Sequence, residues 1–148
     1  MMRILTGILL LFAAASTFSQ TLSIKEGLWE STVLDDDGSV AMRSLDCVLQ
    51  KSMAEMIIRA NKHPGCTVAS QNITSRSITV DISCNRPRVQ ASVHSLMELL
   101  DSEHGHSTTT MKMTIDGKAR ESTTKSRSRF IKADCGGIKP GSPEITSQ

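Results

Sequence analysis

The chain has 148 residues, 17 basic and 15 acidic, a formal charge of +2, and only 3% aromatic residues with no tyrosine. So even a balance gives no global electrostatic attraction for nucleic acid, and the shortage of rings removes the stacking platforms that bind single strands or sugars. With a leader set aside, about 130 residues remain, enough for one domain with a core and too few for two.

Met1 to Arg3 form a short basic start, Ile4 to Ala15 an apolar run, and Ala13 to Gln20 a stretch of small residues. This is the pattern of a secretory signal peptide over residues 1–19, with cleavage expected after Ser19 and Ala15 as the alternative. The apolar run is about a dozen residues, short of the roughly 20 that cross a bilayer, and nothing later is as apolar. A periplasmic or secreted chain with no transmembrane segment is therefore expected. Losing Arg3 leaves 16 of the 17 basic residues against 15 acidic ones, with Trp29 and Phe130 the only rings. The core must be built from Val, Ile, Leu and Met.

Residues 28–34, "LWESTVL", and 40–47, "VAMRSLDC", flank the acidic turn "DDDG" and read as a hairpin. Leu49, Met53, Met56, Ile57 and Ala60 then recur at helical spacing, with Ser52 and Glu55 resembling a capping box and "NKHPG" as a stop. That pattern predicts one short helix over about 50–61.

"GCTVASQNITSRSITVDISC", residues 65–84, places a cysteine near each end of an alternating stretch. A hairpin turning about Ser75 pairs residues whose numbers sum to about 150, opposing Val68 to Ile82, Ser70 to Val80, Asn72 to Ile78 and Cys66 to Cys84. Opposed residues at a non-hydrogen-bonded site lie about 4.5 Å apart at Cα, close enough for a disulfide. Cys66–Cys84 follows, and Cys47–Cys135 by elimination; Cys47 with Cys66 and Cys84 with Cys135 is the competing pattern. Four cysteines in an exported chain suit two disulfides, and without a Cys-x-x-Cys there is no thioredoxin-like motif.

Val89, Ala91, Val93 and Met97 alternate with Gln90, Ser92 and His94, so a strand is predicted just after Pro87. A charged, His-bearing loop over 98–106 follows. "STTTMKMTI", 107–115, and "KARESTTKSRSRFI" flank Asp116-Gly117, a two-residue type I′ turn that makes paired numbers sum to about 233. Lys112 then faces Glu121, His106 faces Arg127, and His104 faces Arg129. Residues 136–148, rich in Gly, Pro and Ser, read as a disordered tail. The fold expected over residues 20–135 is mainly β, an antiparallel sheet of about seven strands curled into a small barrel or sandwich.

Taken together, "KEGLWESTV", the four cysteines in order, "GCTV", "DISC", the Thr-Met strand "TTTMKMTI" and "ADCGG" resemble the bacterial exported family called domain of unknown function 3617, over about residues 25–137. The resemblance implies a periplasmic or envelope location in Gram-negative bacteria, a compact antiparallel β-fold and no established activity. Lys25-Glu26 stands where the family commonly has proline before the glycine.

Candidate sites are few. Lys125, Arg127 and Arg129 form a basic strip that could meet an anionic surface or partner, or else guard an edge strand from pairing with another chain. His94, His104 and His106, with Glu103, are candidate Cu or Zn ligands, and Met111 with Met113 a candidate Cu(I) thioether pair, although both methionines suit the core better. Trp29 is either a binding anchor or a cap on a ring-poor core. Asn72-Ile73-Thr74 matches a glycosylation acceptor by coincidence. No nucleophile elbow, zinc-protease helix or phosphate loop stands out, the cysteines are committed to bridges, and the acids Asp35 to Asp37 sit in a turn. A non-catalytic module without cofactor is expected, binding a small ligand, a lipid or an envelope protein, with periplasmic metal binding as the alternative.

Overall fold

A computed structural model describes residues 21–51 and 64–147. The expected leader lies outside the described residues. Of the helix expected over 50–61, only Gln50 and Lys51 fall within the described residues, and the remainder lies outside them as well. Among the described residues eight strands make one antiparallel sheet: β1 Gly27–Leu34, β2 Val40–Val48, β3 Cys66–Ile73, β4 Ser77–Arg86, β5 Val89–Leu99, β6 His104–Ile115, β7 Lys118–Lys132 and β8 Glu144–Ser147. Their spatial order is β3-β4-β5-β6-β7-β1-β2-β8, so the sheet is open, with edges at β3 and β8.

Turn chemistry sets most of the registers. Asp116 and Gly117 both take positive φ, 49° and 79°, as a type I′ turn demands, and the whole β6–β7 ladder pairs Lys112 with Glu121, His106 with Arg127 and His104 with Arg129. The β3–β4 turn lacks glycine; the Thr74 hydroxyl builds it by accepting N–H bonds from Arg76 (3.2 Å) and Ser77 (2.9 Å). Cys66 opposes Cys84 and Val68 opposes Ile82 as expected, but a bulge at Ala69 then shifts the register, so Ser70 faces Asp81, Gln71 faces Val80 and Ile73 faces Ile78. The expected pairs Ser70–Val80 and Asn72–Ile78 do not form. An extra residue reverses the pleat, which brings Ile73 rather than Asn72 onto the face of Ile78 and Val80.

Both disulfides join the expected partners, Cys47–Cys135 with Cα atoms 5.3 Å apart and Cys66–Cys84 with 4.0 Å. Two other expectations need correction. His104 and His106 belong to strand β6, so the loop shrinks to residues 100–103; Asp101 Oδ1 tightens it by accepting the N–H of Glu103 (2.7 Å) and of His104 (2.8 Å). The stretch after Cys135 is not a disordered tail. Ile138 is buried against Leu28 and Cys47, and β8 pairs with β2 through Ser44–Ile145 and Leu45–Glu144.

Alternation sorts the side chains onto two faces. Leu28, Leu45, Cys47 and Leu49 pack with Ile138 and Cys135 on the outer face. Trp29, Asp46, Val48, Met97 and Leu99 lie on the inner one, where Asp46 and Val48 of β2 line the same small cavity as Met97 and Leu99 of β5. Four strand spacings separate β2 from β5, about 19 Å in a flat sheet, so the sheet must curl. Residues 21–26 strap the end of the resulting bowl: Ser23 N–H donates to Ser75 O (2.8 Å), Lys25 N–H to Ser102 O (3.0 Å), and the Gln50 side-chain amide to Leu22 O. Leu22, 2% exposed, seals the strap against Leu99, with Ile24, Val48, Ile78 and Met97 around it.

Candidate functional site

The inner face under the strap holds a cavity of 130 Å³. Its apolar wall is Ile24 from the strap, Trp29, Val48, Met97 and Leu99, and its polar groups are Ser31, Asp46 and Ser128. The β1 start places Trp29, 2% exposed, between Asp46 on β2 and Phe130 on β7. The two rings meet edge to face with centroids 6.0 Å apart, and the indole N–H donates to Lys25 O at 2.9 Å. Trp29 therefore fixes the strap and forms part of the cavity wall at once, the position expected of a cap on the core.

Hydroxyl groups interrupt the apolar inner face, and they satisfy one another: Ser31 with Ser128 (2.9 Å), Ser107 with Ser126 (2.8 Å) and Ser95 with Thr109 (2.9 Å). Each pair spans neighbouring strands, which lets polar atoms sit among Val, Ile and Met without stranded bonds. Asp46 breaks this rule. Its Oδ1 is shielded from solvent and has no hydrogen-bond partner, although the residue as a whole is only half-buried. Desolvation raises the carboxyl above the usual range for aspartate, with the backbone N–H groups of Cys47 and Gly141 pulling the other way. Sequence reading passed over Asp46. The available signal was its parity, because an acid two residues before Val48 shares that residue's face of an alternating strand.

The histidines do not converge. His94 Nδ1 lies 2.6 Å from Asp81 Oδ1, His104 Nδ1 3.0 Å from Asp101 Oδ2, and His106 Nε2 3.1 Å from Glu98 Oε2. Each has its own carboxylate. His106 sits opposite Glu98, four residues along β5 from His94, a separation of about 13 Å. Glu103 pairs with Lys25. Among the described residues no three His, Cys, Asp or Glu side chains gather as a metal group. Met111 and Met113 stand half-buried on the inner face, on the opposite side from Lys112.

Lys125, Arg127 and Arg129 do share the outer face of β7, but β7 lies inside the sheet, between β6 and β1. Edge protection therefore cannot explain them. Arg129 is held by Glu30 at 2.9 Å. Lys125 and Arg127 have no ion pair among the described residues, and neither does Arg43, which flanks Thr32 on the side away from Arg127. Beside them runs a shallow outer groove of 400 Å³ lined by Thr32, Leu100, His104 and His106. Among the described residues no helix is long and apolar enough to cross a membrane.

A family model described as protein of unknown function (DUF3617) matches residues 24–135. No curated protein and no solved structure matches the chain.

Proposed function

The chain belongs to the DUF3617 family of proteins of unknown function, and from its geometry we propose that it is a non-catalytic module that binds a small apolar ligand on the inner face of its curled sheet, outside the cytoplasm. The observation that carries this reading is the strapped cavity, walled by Trp29, Val48, Met97 and Leu99, because an apolar concavity with a few placed polar groups is the usual form of a small-molecule site. Two disulfides support a periplasmic or secreted setting, since such bonds persist in oxidising compartments. Native mass spectrometry of protein taken from its own cell envelope tests the proposal. A carried mass that disappears in Met97→Trp, which fills the cavity, is expected; an empty wild-type protein overturns the reading in favour of a protein partner.

A second reading rests on Arg43, Lys125 and Arg127 of the outer face, which have no ion pair among the described residues. That cluster suits an anionic surface such as lipid head groups, and binding to anionic vesicles at two salt concentrations tests it.

A further inference from the structure

We infer that the open half of the inner face, beyond the strapped cavity, is a site for a single-chain anionic amphiphile, with its hydrocarbon tail laid along β5 and its head held by Lys118 and Arg120. Register assembles the tail site. Val89, Ala91 and Val93 of β5 stand directly beside Ile115, Met113 and Met111 of β6, and strand parity puts all six on the face of Met97 and Leu99. None of the six is fully buried, Ile115 is 37% exposed, and neither buried cluster among the described residues includes any of them. A contiguous apolar stripe left open in this way marks a contact surface. Its length suits one acyl chain. The stripe runs about 20 Å along β5, from Val89 to the hydroxyl pair of Ser95 and Thr109, and a single tail spans about half of a roughly 30 Å hydrocarbon core, or about 15 Å.

Charge selects the head. Lys118 pairs across the ladder with Ile115 and Arg120 with Met113, so both cations border the end of the stripe on its own face. Neither side chain has an ion pair or a hydrogen bond among the described residues. The acids of the neighbouring strands do not reach them. Asp81, Glu98 and Glu121 point to the outer face, where they meet His94, His106 and Lys112; Asp116 in the turn is held by Arg88, and Asp46 lies on β2 at the strapped end. Arg86, the cation of β4 at the same end, directs its Nε–H to Pro64 O at 3.0 Å. Lys118 and Arg120 stand about 7 Å apart along one strand, close enough for two long side chains to share one head. A carboxylate or phosphate there gains charge-assisted bonds from both while its chain covers the stripe, whereas a cationic amphiphile gains only the cover.

Isothermal titration calorimetry of the wild-type chain, its disulfides intact, tests this with dodecanoate, dodecyl phosphate, dodecyltrimethylammonium and butanoate, each kept below its micelle concentration. At least one dodecyl anion is expected to bind about tenfold or more tightly than the dodecyl cation, as charge-assisted bonds provide, and the tighter of the two anions identifies the head. Butanoate is expected to bind at least about a hundredfold more weakly than dodecanoate, because each methylene laid on the stripe adds to the affinity. In Lys118→Gln with Arg120→Gln, exposed positions beside a turn, the preference for the anion should fall to within about threefold. Equal affinities for the dodecyl anions and cation, butanoate as tight as dodecanoate, no binding by any probe, or an anion preference that survives in the double variant overturns the inference. The first three comparisons need no variant, so a misfolded double variant would not shelter it. They also stand apart from the strapped cavity, whose occupancy the native spectrum decides.

Discussion

Gly27 opens the Gly-Leu-Trp-Glu motif at φ +141°, and a Cβ there would come within 2.8 Å of Ala133 Cα as well as clashing with Lys132 O. Only glycine lets β1 start this close to the end of β7, and that closeness sets Trp29 against Phe130. Gly27→Ala should therefore cost about 3 kcal/mol, combining backbone strain with overpacking, and a urea melt measures it; a loss under about 0.5 kcal/mol would show that β1 enters the sheet differently. Asp46 carries a pH signature of its own. Burial makes its folded carboxyl hold a proton more tightly than the unfolded chain does, so its contribution to stability falls as pH rises through and above the ordinary aspartate value of 3.8. Asp46→Asn should melt about 3 °C higher than wild type at pH 7, after allowance for partial solvent screening, and the gap should close near pH 3. Asp37, Asp81 and Asp101 are shifted downward and destabilise with acid in the opposite sense, but both proteins contain them, so they cancel in the difference.

Strands were legible wherever a turn or a bridge pinned their register. Asp116-Gly117 fixed twelve consecutive pairs, and the symmetric cysteines fixed the mouth of the β3–β4 hairpin. The bulge at Ala69 was not legible, because "TVASQNI" alternates acceptably in either phase and only the packing of Ile73 against the inner face decides. Removing Ala69 leaves Val68 and Ser70 opposite Ile82 and Asp81, a regular ladder with every other pair kept. That deletion should change stability by less than about 1 kcal/mol, whereas deleting Thr79 inverts the flank of β4 and should unfold the edge. Thermal melts of the two deletions decide the register; equal damage from both would contradict the bulge. The bridges differ in reach too. Cys47–Cys135 closes 88 residues and Cys66–Cys84 closes 18, so loop entropy assigns about 4.5 kcal/mol to the first and about 3 kcal/mol to the second. Replacing Cys47 and Cys135 with alanine should lower the melting point more than replacing Cys66 and Cys84, the more so because the long bridge lies under Leu28 and Ile138.

On the scale of the molecule, composition gave the class of fold and hid its last strand. Gly, Pro and Ser after Cys135 read as disorder, yet Ile138 fills a gap beside the long disulfide and β8 adds an eighth strand. The small site stayed hidden as well, since its wall comes from the strap and five strands distant in sequence, and no local motif records that. What the curl creates is a body with two unlike sides, an apolar bowl and a convex face bearing Arg43, Lys125 and Arg127. If the convex side meets anionic lipid, each cation near the surface is worth about 1 kcal/mol, so Lys125→Gln with Arg127→Gln should weaken binding to phosphatidylglycerol vesicles about thirtyfold. Binding should also fall as salt shortens the Debye length, and it should not respond to Met97→Trp, which touches only the bowl. Sedimentation with anionic and with neutral vesicles measures both dependences. Equal sedimentation with the two vesicle types, or an effect of Met97→Trp as large as that of the charge variant, would assign lipid contact to the inner face and leave the basic strip as ordinary solvated surface.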